Sequence, residues 1–292
     1  MSKTVQRLLT FFIGIPLIVG IVFLSYFNHL ILNIVISVIS VIAATEMYNI
    51  FSKKTVLFNK FLLQFFTILL PIGTYILIIL GKSTTYIAWL LLFEILILLG
   101  VEVYTHKSFD DSNQRITASV FILLYCGYMI TFVSRMGAFK DSTIIICIFL
   151  LAVFMCDSLA WLFGVLLGKN NRGVFAVSPN KSIAGFCGGF LGSIASCVLA
   201  WFLLGHIFQK DILSGSVWKA VLLGFLCAIS SITGDLVESV FKRSSDEKDS
   251  GNIIPGRGGI LDSIDSILFS APVFYIIFYI LYSPEFQNQI IK

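Results

Sequence analysis

Charge is scarce in this sequence: Asp, Glu, Lys and Arg together make up 12% of its 292 residues, about half the share of an average soluble domain. Hydrophobic residues account for 58% and the mean hydropathy is +0.96, so too little polar surface exists to cover a water-facing globule. A soluble enzyme, a disordered tail, a collagen and a disulfide scaffold are thereby excluded. Histidine is scarce as well: His29, His106 and His206 stand singly near segment ends, which excludes a zinc site. The six cysteines form no C-x-x-C pair and all fall in apolar segments, where they are read as buried small hydrophobes. No G-x-x-x-x-G-K-[ST] occurs, so the chain is not a P-loop ATPase. Basic residues number 20 and acidic ones 16, for a net charge of +4. They are not segregated into tails, so no nucleic-acid partner is expected.

What the chain does have is long apolar runs. They lie near 8–27, 30–51, 61–80, 85–103, 116–134, 143–168, 183–208, 217–241 and 264–283, each about as long as the roughly 20 residues a bilayer-spanning helix needs. Only a helix satisfies its own backbone groups as an isolated segment in lipid. The expected fold is therefore all-α, a polytopic integral membrane protein of about nine transmembrane helices. The first run follows Met1–Arg7 and lacks a small-x-small cleavage site, so it is read as an uncleaved span. Lys and Arg number fourteen in one set of alternate connections and six in the other, which places the amino terminus in the cytoplasm. The organisation read from the sequence is an amino-terminal region, 1–142, of about five spans and a catalytic region, 143–292, of about four. Polar loops 169–182 and 242–263 both face the cytoplasm in that topology.

Chemistry-bearing residues concentrate in the second region. Asp235 and Glu238 are i,i+3, and Glu238 and Lys242 are i,i+4, so all three share one helical face. An ion-paired helix end would explain Lys242, which could snorkel. Carboxylates inside a span point instead to function. The loop that follows carries Arg243, Lys248, Asp249, Arg257 and four glycines, then Asp262 and Asp265 at the start of the last span. There the helix dipole favours negative charge, and Asp262 could simply cap. Carboxylates alone indicate a hard divalent cation, and cations alone indicate anionic headgroups. Both together indicate metal-bound phosphates. Upstream, Asp157 interrupts an apolar span, while Ser178 and Lys181 flank Pro179 in the preceding cytoplasmic loop. Taken alone, Ser178 and Lys181 are ordinary interfacial residues. Glu46, Glu94 and Glu102 are treated as packing or interface groups.

Ser239, Lys242, Arg243, Lys248, Asp249, Gly251, Ile254, Pro255, Gly258, Gly259, Asp262 and Asp265 match, in order and spacing, the signature of the phosphatidate cytidylyltransferase (CDP-diacylglycerol synthase) family, which the chain resembles. The stretch Asp157–Gly185 is similar to the family's other cytoplasmic motif. Arg257 stands where the pattern has His, Ser263 where it has Arg, and Ala184 where an acid precedes Gly185; no role is carried to Ser263 or Ala184. The resemblance implies transfer of the cytidylyl group of CTP to phosphatidic acid at the inner face of the cell membrane, giving CDP-diacylglycerol and pyrophosphate. It implies Mg²⁺, a second monovalent cation such as K⁺, and a homodimer among membrane lipids. Asp235 and Asp262 are assigned as principal metal ligands, with Glu238 in support. Asp235, Asp262, Lys248, Asp249 and Asp265 make the catalytic set, and Lys242, Arg243, Arg257, Ser239, Lys181, Ser178 and Asp157 the substrate-binding set. The competing activities are a CTP-dependent lipid kinase and an isoprenoid-lipid cytidylyltransferase. A CDP-alcohol phosphatidyltransferase is disfavoured because no D-G-x-x-A-R occurs. An ion-coupled transporter is disfavoured because no internal repeat is seen.

Overall fold

A computed structural model describes residues 3–282, with side chains described from Ile13 onward apart from that of Asp211. Ten α-helices follow one another: α1 (Lys3–Phe23), α2 (Tyr26–Phe51), α3 (Lys60–Ile79), α4 (Ile87–Thr105), α5 (Ser112–Ile122), α6 (Thr131–Met136), α7 (Ser142–Leu167), α8 (Ile183–Phe202), α9 (Val217–Ser244) and α10 (Leu261–Tyr282). No strand occurs among the described residues, only two isolated bridges, Arg172–Ser182 and Ile254–Gly258. A wide π-helical turn over Leu123–Tyr128 joins α5 to α6, so Ser112–Met136 forms one apolar segment. Among the described residues, eight helical segments are long and apolar enough to cross a membrane. The expected all-α polytopic membrane architecture is present. The described apolar part of α1, Ile13–Phe23, is shorter than those eight.

Apolar side chains such as Phe61, Trp89 and Leu166 lie exposed on α3, α4 and α7. In water such surface would be a liability, whereas in lipid it faces its natural solvent. The same logic corrects one reading of the cysteines. Cys126, Cys156, Cys197 and Cys227 are buried, but Cys187 is exposed on α8 and Cys147 only partly covered. An apolar helix has a lipid-facing side as well as a protein-facing one, and composition alone does not separate them.

The chain forms two compact units. The first comprises residues 3–138 with Val240–Ile264, and the second Phe139–Ser239 with 265–282. In the first unit, the Ser40 hydroxyl on α2 donates to the Cys126 carbonyl at 2.8 Å, satisfying a backbone group in the π-helical turn. The last turn of α9 enters this unit through Phe241, whose ring meets those of Phe121 at 5.2 Å and Phe51 at 5.5 Å. This aromatic cluster anchors the polar stretch after α9 to the amino-terminal helices.

In the second unit, small residues allow close helix approach, the usual device where lipid offers no hydrophobic drive between helices. Gly188 on α8 faces α7 so closely that an added Cβ would lie 2.7 Å from the Cβ of Phe163. Gly234 on α9 faces α10, and an added Cβ would lie 2.6 Å from the Asp265 carbonyl oxygen. Ser266 donates to the Ser231 carbonyl at 3.2 Å, tying the same two helices. Gly188→Leu is therefore expected to destabilise the fold by at least the 1–3 kcal/mol or so typical of overpacking. Thermal unfolding in detergent checks this, and an unchanged midpoint would contradict the α7–α8 packing described.

Candidate active site

In the first unit, the residues gather around Asp262 in the opening turn of α10. Oδ1 of Asp262 pairs with Lys242 Nζ at 2.5 Å, and both side chains are almost fully covered. Oδ2 accepts from the Ser250 amide at 2.8 Å, the Ser250 hydroxyl at 2.9 Å and the Gly259 amide at 2.7 Å. The Asp262 amide in turn donates to Ser250 Oγ at 3.2 Å. One carboxylate thus closes the loop between α9 and α10. Gly258 lies at φ +115°, in the left-handed region, and an added Cβ would lie 3.2 Å from Asp262 Cγ. That position demands glycine for both conformation and space.

Around this anchor, Lys248, Asp249 and Arg257 are exposed. Arg243 Nη1 donates to the Glu247 carbonyl at 2.8 Å, so its guanidinium also supports the loop. Two exposed ion pairs, Lys53–Glu247 and Lys54–Asp246, connect the loop to the end of α2. Hydrogen bonding from Lys54 holds the Asp246 carboxyl below its ordinary range. The pair persists above the usual carboxylate pKa and is lost as pH falls through the depressed value. A cleft of about 330 Å³ lies between Asn49 of α2, Lys53 in the turn that follows it, and the loop residues Lys248, Ser250 and Asn252.

From the sequence Glu46 is a packing or interface group; the structure gives it a place beside the site. It is a buried carboxylate on α2, 5% exposed, that accepts from the Ser250 hydroxyl at 3.1 Å, the Ile260 amide at 3.0 Å and the Leu261 amide at 2.8 Å. It therefore caps α10 from a helix more than 200 residues away in sequence.

The second unit holds Asp157, Asp235, Glu238 and Asp265. Asp235 Oδ2 pairs with Lys181 Nζ at 2.7 Å, joining α9 to the loop before α8. The Ser178 carbonyl accepts from the Lys181 amide at 3.1 Å, so Ser178 helps form the turn that presents the lysine. Ser182 then caps α8 by accepting from the Gly185 amide at 3.1 Å. Oδ1 of Asp157 lies 3.5 Å from both Ser231 Oγ and Ser266 Oγ. Asp265 is buried within electrostatic reach of Asp235, Glu238 and Asp157, and its Oδ1 accepts from the Ser266 amide at 2.6 Å. Glu238 and Ser239 are buried on α9.

Asp235 and Asp262, assigned together from the sequence, belong to different compact units. Among the described residues, no three His, Cys, Asp or Glu side chains are gathered as a ready-made ion cage. Each of Asp235, Glu238 and Asp262 offers hard carboxylate oxygens, the donor type magnesium prefers.

The sequence matches the model of the cytidylyltransferase family over residues 5–281. The chain belongs to this family. Among curated proteins, it is similar to the phosphatidate cytidylyltransferase of Staphylococcus haemolyticus, 33% identical over 181 residues, covering 62% of this chain and 65% of that protein. The phosphatidate cytidylyltransferase of Helicobacter pylori is 38% identical over 159 residues, 54% of this chain and 55% of the relative. That of Staphylococcus epidermidis is 41% identical over 128 residues, 44% of this chain and 46% of the relative. The matched region spans about half to two thirds of these family members' lengths.

Proposed function

We propose that the chain transfers the cytidylyl group of CTP to phosphatidic acid, forming CDP-diacylglycerol and releasing pyrophosphate. The observation that carries this reading is the loop built on Asp262. It holds Lys242, mostly covered, against that carboxylate and presents Lys248 and Arg257 to solvent. The acceptor phosphate is already a nucleophile, so no activating Ser-His-Asp group is needed. The obstacle is charge, because an anion must approach the α-phosphorus of another anion. Lys242, Arg243, Lys248 and Arg257 are assigned to phosphate oxygens, where Arg257 contacts bidentately as a neutral histidine could not. Lys181 and Ser178 border the nucleotide, with Ser239 and Asp157 among the substrate-binding groups. Asp249 and Asp265 complete the catalytic set.

Asp235, Asp262 and Glu238 are proposed to hold Mg²⁺. The ion would supply charge neutralisation of the triphosphate and of the leaving pyrophosphate. Of the two Asp262 oxygens, Oδ2 accepts from the amides of Ser250 and Gly259 and lies within reach of the Ser250 hydroxyl, whereas Oδ1 pairs with Lys242. Oδ1 is accordingly the oxygen able to exchange partners when Lys242 turns to a phosphate. A monovalent cation such as K⁺, a homodimeric state, a cytoplasmic amino terminus and a catalytic face toward the cytoplasm in the cell membrane belong to the same reading.

The test is to incubate purified protein with phosphatidic acid, Mg²⁺ and CTP labelled at the α- or the γ-phosphate. Label from the α-position in extractable lipid is the expected result. Label from the γ-position alone would indicate a lipid kinase, and no lipid label would favour transport. Within this mechanism, Lys248→Ala is expected to raise the apparent KM for CTP or phosphatidic acid about tenfold, the scale of one hydrogen bond to a charged group. The lysine is exposed, so folding should be unaffected. Unchanged KM values for both substrates would remove Lys248 from the phosphate-binding set.

A further inference from the structure

We infer that Glu46, in the amino-terminal half of the chain, is a positioning residue for this reaction, setting the catalytic loop and the orientation of Asp262. The inference rests on the cytidylyl-transfer reading for its kinetic consequence, but its structural part stands independently. Glu46 interrupts an apolar span and is buried, a costly placement unless its charge is met by donors. Those donors come from the loop between α9 and α10 and from the start of α10. Oε1 accepts from the Ile260 amide, and Oε2 from the Leu261 amide and the Ser250 hydroxyl.

The Ser250 hydroxyl is also within bonding distance of Asp262 Oδ2 at 2.9 Å. It has one proton to share between the two carboxylates and meanwhile accepts from the Asp262 amide. Glu46, Ser250, Asp262 and Lys242 therefore form one chain of contacts running from α2 to the buried ammonium. Two glycines mark how tightly the loop is drawn onto Glu46. An added Cβ at Gly251 would lie 2.6 Å from Glu46 Oε1, and one at Gly259 would overlap both Glu46 Oε2 and Ser250 Oγ. A side chain at either position would push the carboxylate off its donors. The influence of Glu46 passes through Ser250, the loop backbone and Asp262.

The experiment compares wild type, Glu46→Gln, Glu46→Asp and Ser250→Ala, purified in detergent as full chains. Gln keeps the size but turns an NH₂ group toward backbone N–H donors, and Asp is too short to reach all three. Glu46→Gln is expected to lower kcat about 10- to 100-fold, the usual scale for loss of a supporting hydrogen-bond partner. KM for both substrates should change little, because the cost falls on orientation for the chemical step. Glu46→Asp should fall between Gln and wild type. Hydrogen–deuterium exchange of the peptide covering Ile260–Asp262 should be faster in Glu46→Gln, with the rest of the protein unaltered. A purely structural role would lower thermal stability without separating kcat from KM. Wild-type kcat and wild-type exchange in a folded Glu46→Gln protein would overturn the inference. If that variant does not fold, Ser250→Ala decides: a kcat loss with unchanged KM supports the link, and an unchanged kcat overturns it. Absence of cytidylyl transfer in the wild type would defeat the reaction reading alone, since the exchange measurement still decides what Glu46 holds.

Discussion

Asp262→Asn is expected to reduce turnover by on the order of 10²- to 10³-fold, the scale of removing a preorganised electrostatic contact from a reaction that develops charge. The substitution keeps the shape and removes the charge that holds Lys242. It also forces a choice on the new amide. If its oxygen faces the amides of Ser250 and Gly259, its NH₂ group meets the Lys242 ammonium; in the flipped orientation, donor meets donor along the loop. Either way Lys242 loses the negative charge that Asp262 supplies, and breaking a mostly covered pair on one side is costlier than losing both members together. Turnover measured with both substrates saturating, alongside thermal stability in detergent, checks this. A folded variant with near-normal turnover and normal magnesium dependence would remove Asp262 from the ligand and catalytic sets.

Asp235→Asn is expected to produce a comparable loss of turnover with a smaller effect on the fold. The Asp235 side chain is 40% exposed and its partner Lys181 23% exposed. Breaking such a solvent-screened pair costs only about 1 kcal/mol or less. If Asp235 holds magnesium, its loss should appear as low turnover together with a rightward shift of the magnesium titration. The two readouts separate roles. Loss of turnover with an unshifted titration would assign Asp235 to holding Lys181 rather than to the metal, and retained turnover would dismiss both.

Hydropathy carried the fold a long way because bilayer thickness imposes a length that any apolar run must meet. The runs read near 143–168 and 217–241 correspond to α7, Ser142–Leu167, and α9, Val217–Ser244. The π-helical turn at Leu123–Tyr128 was invisible, since widening one helical turn leaves composition unchanged. Local motifs were likewise readable where spacing is local. Asp262 was placed at the start of the last span, and α10 begins at Leu261.

The pairing of Lys242 with Asp262 was not readable. They lie 20 residues apart, across a loop whose course no periodicity reveals. Nor was the role of Glu46, treated as a packing or interface group from its place in an apolar run. A contact across more than 200 residues leaves no trace in a sliding window. Its only local sign is that of a charge kept at the end of a span whose other residues avoid charge. Gly251 and Gly259 hold the complementary sign. In the structure each makes room for the Glu46 carboxylate.

The central claim is that this chain joins CTP to a lipid phosphate, and product stoichiometry tests it most directly. Purified protein in mixed micelles with phosphatidic acid, CTP and Mg²⁺ should release pyrophosphate and form CDP-diacylglycerol in equal amounts by mass spectrometry, and omitting phosphatidic acid should stop both. Release of a nucleoside diphosphate instead of pyrophosphate, or CTP consumption indifferent to phosphatidic acid, would contradict it.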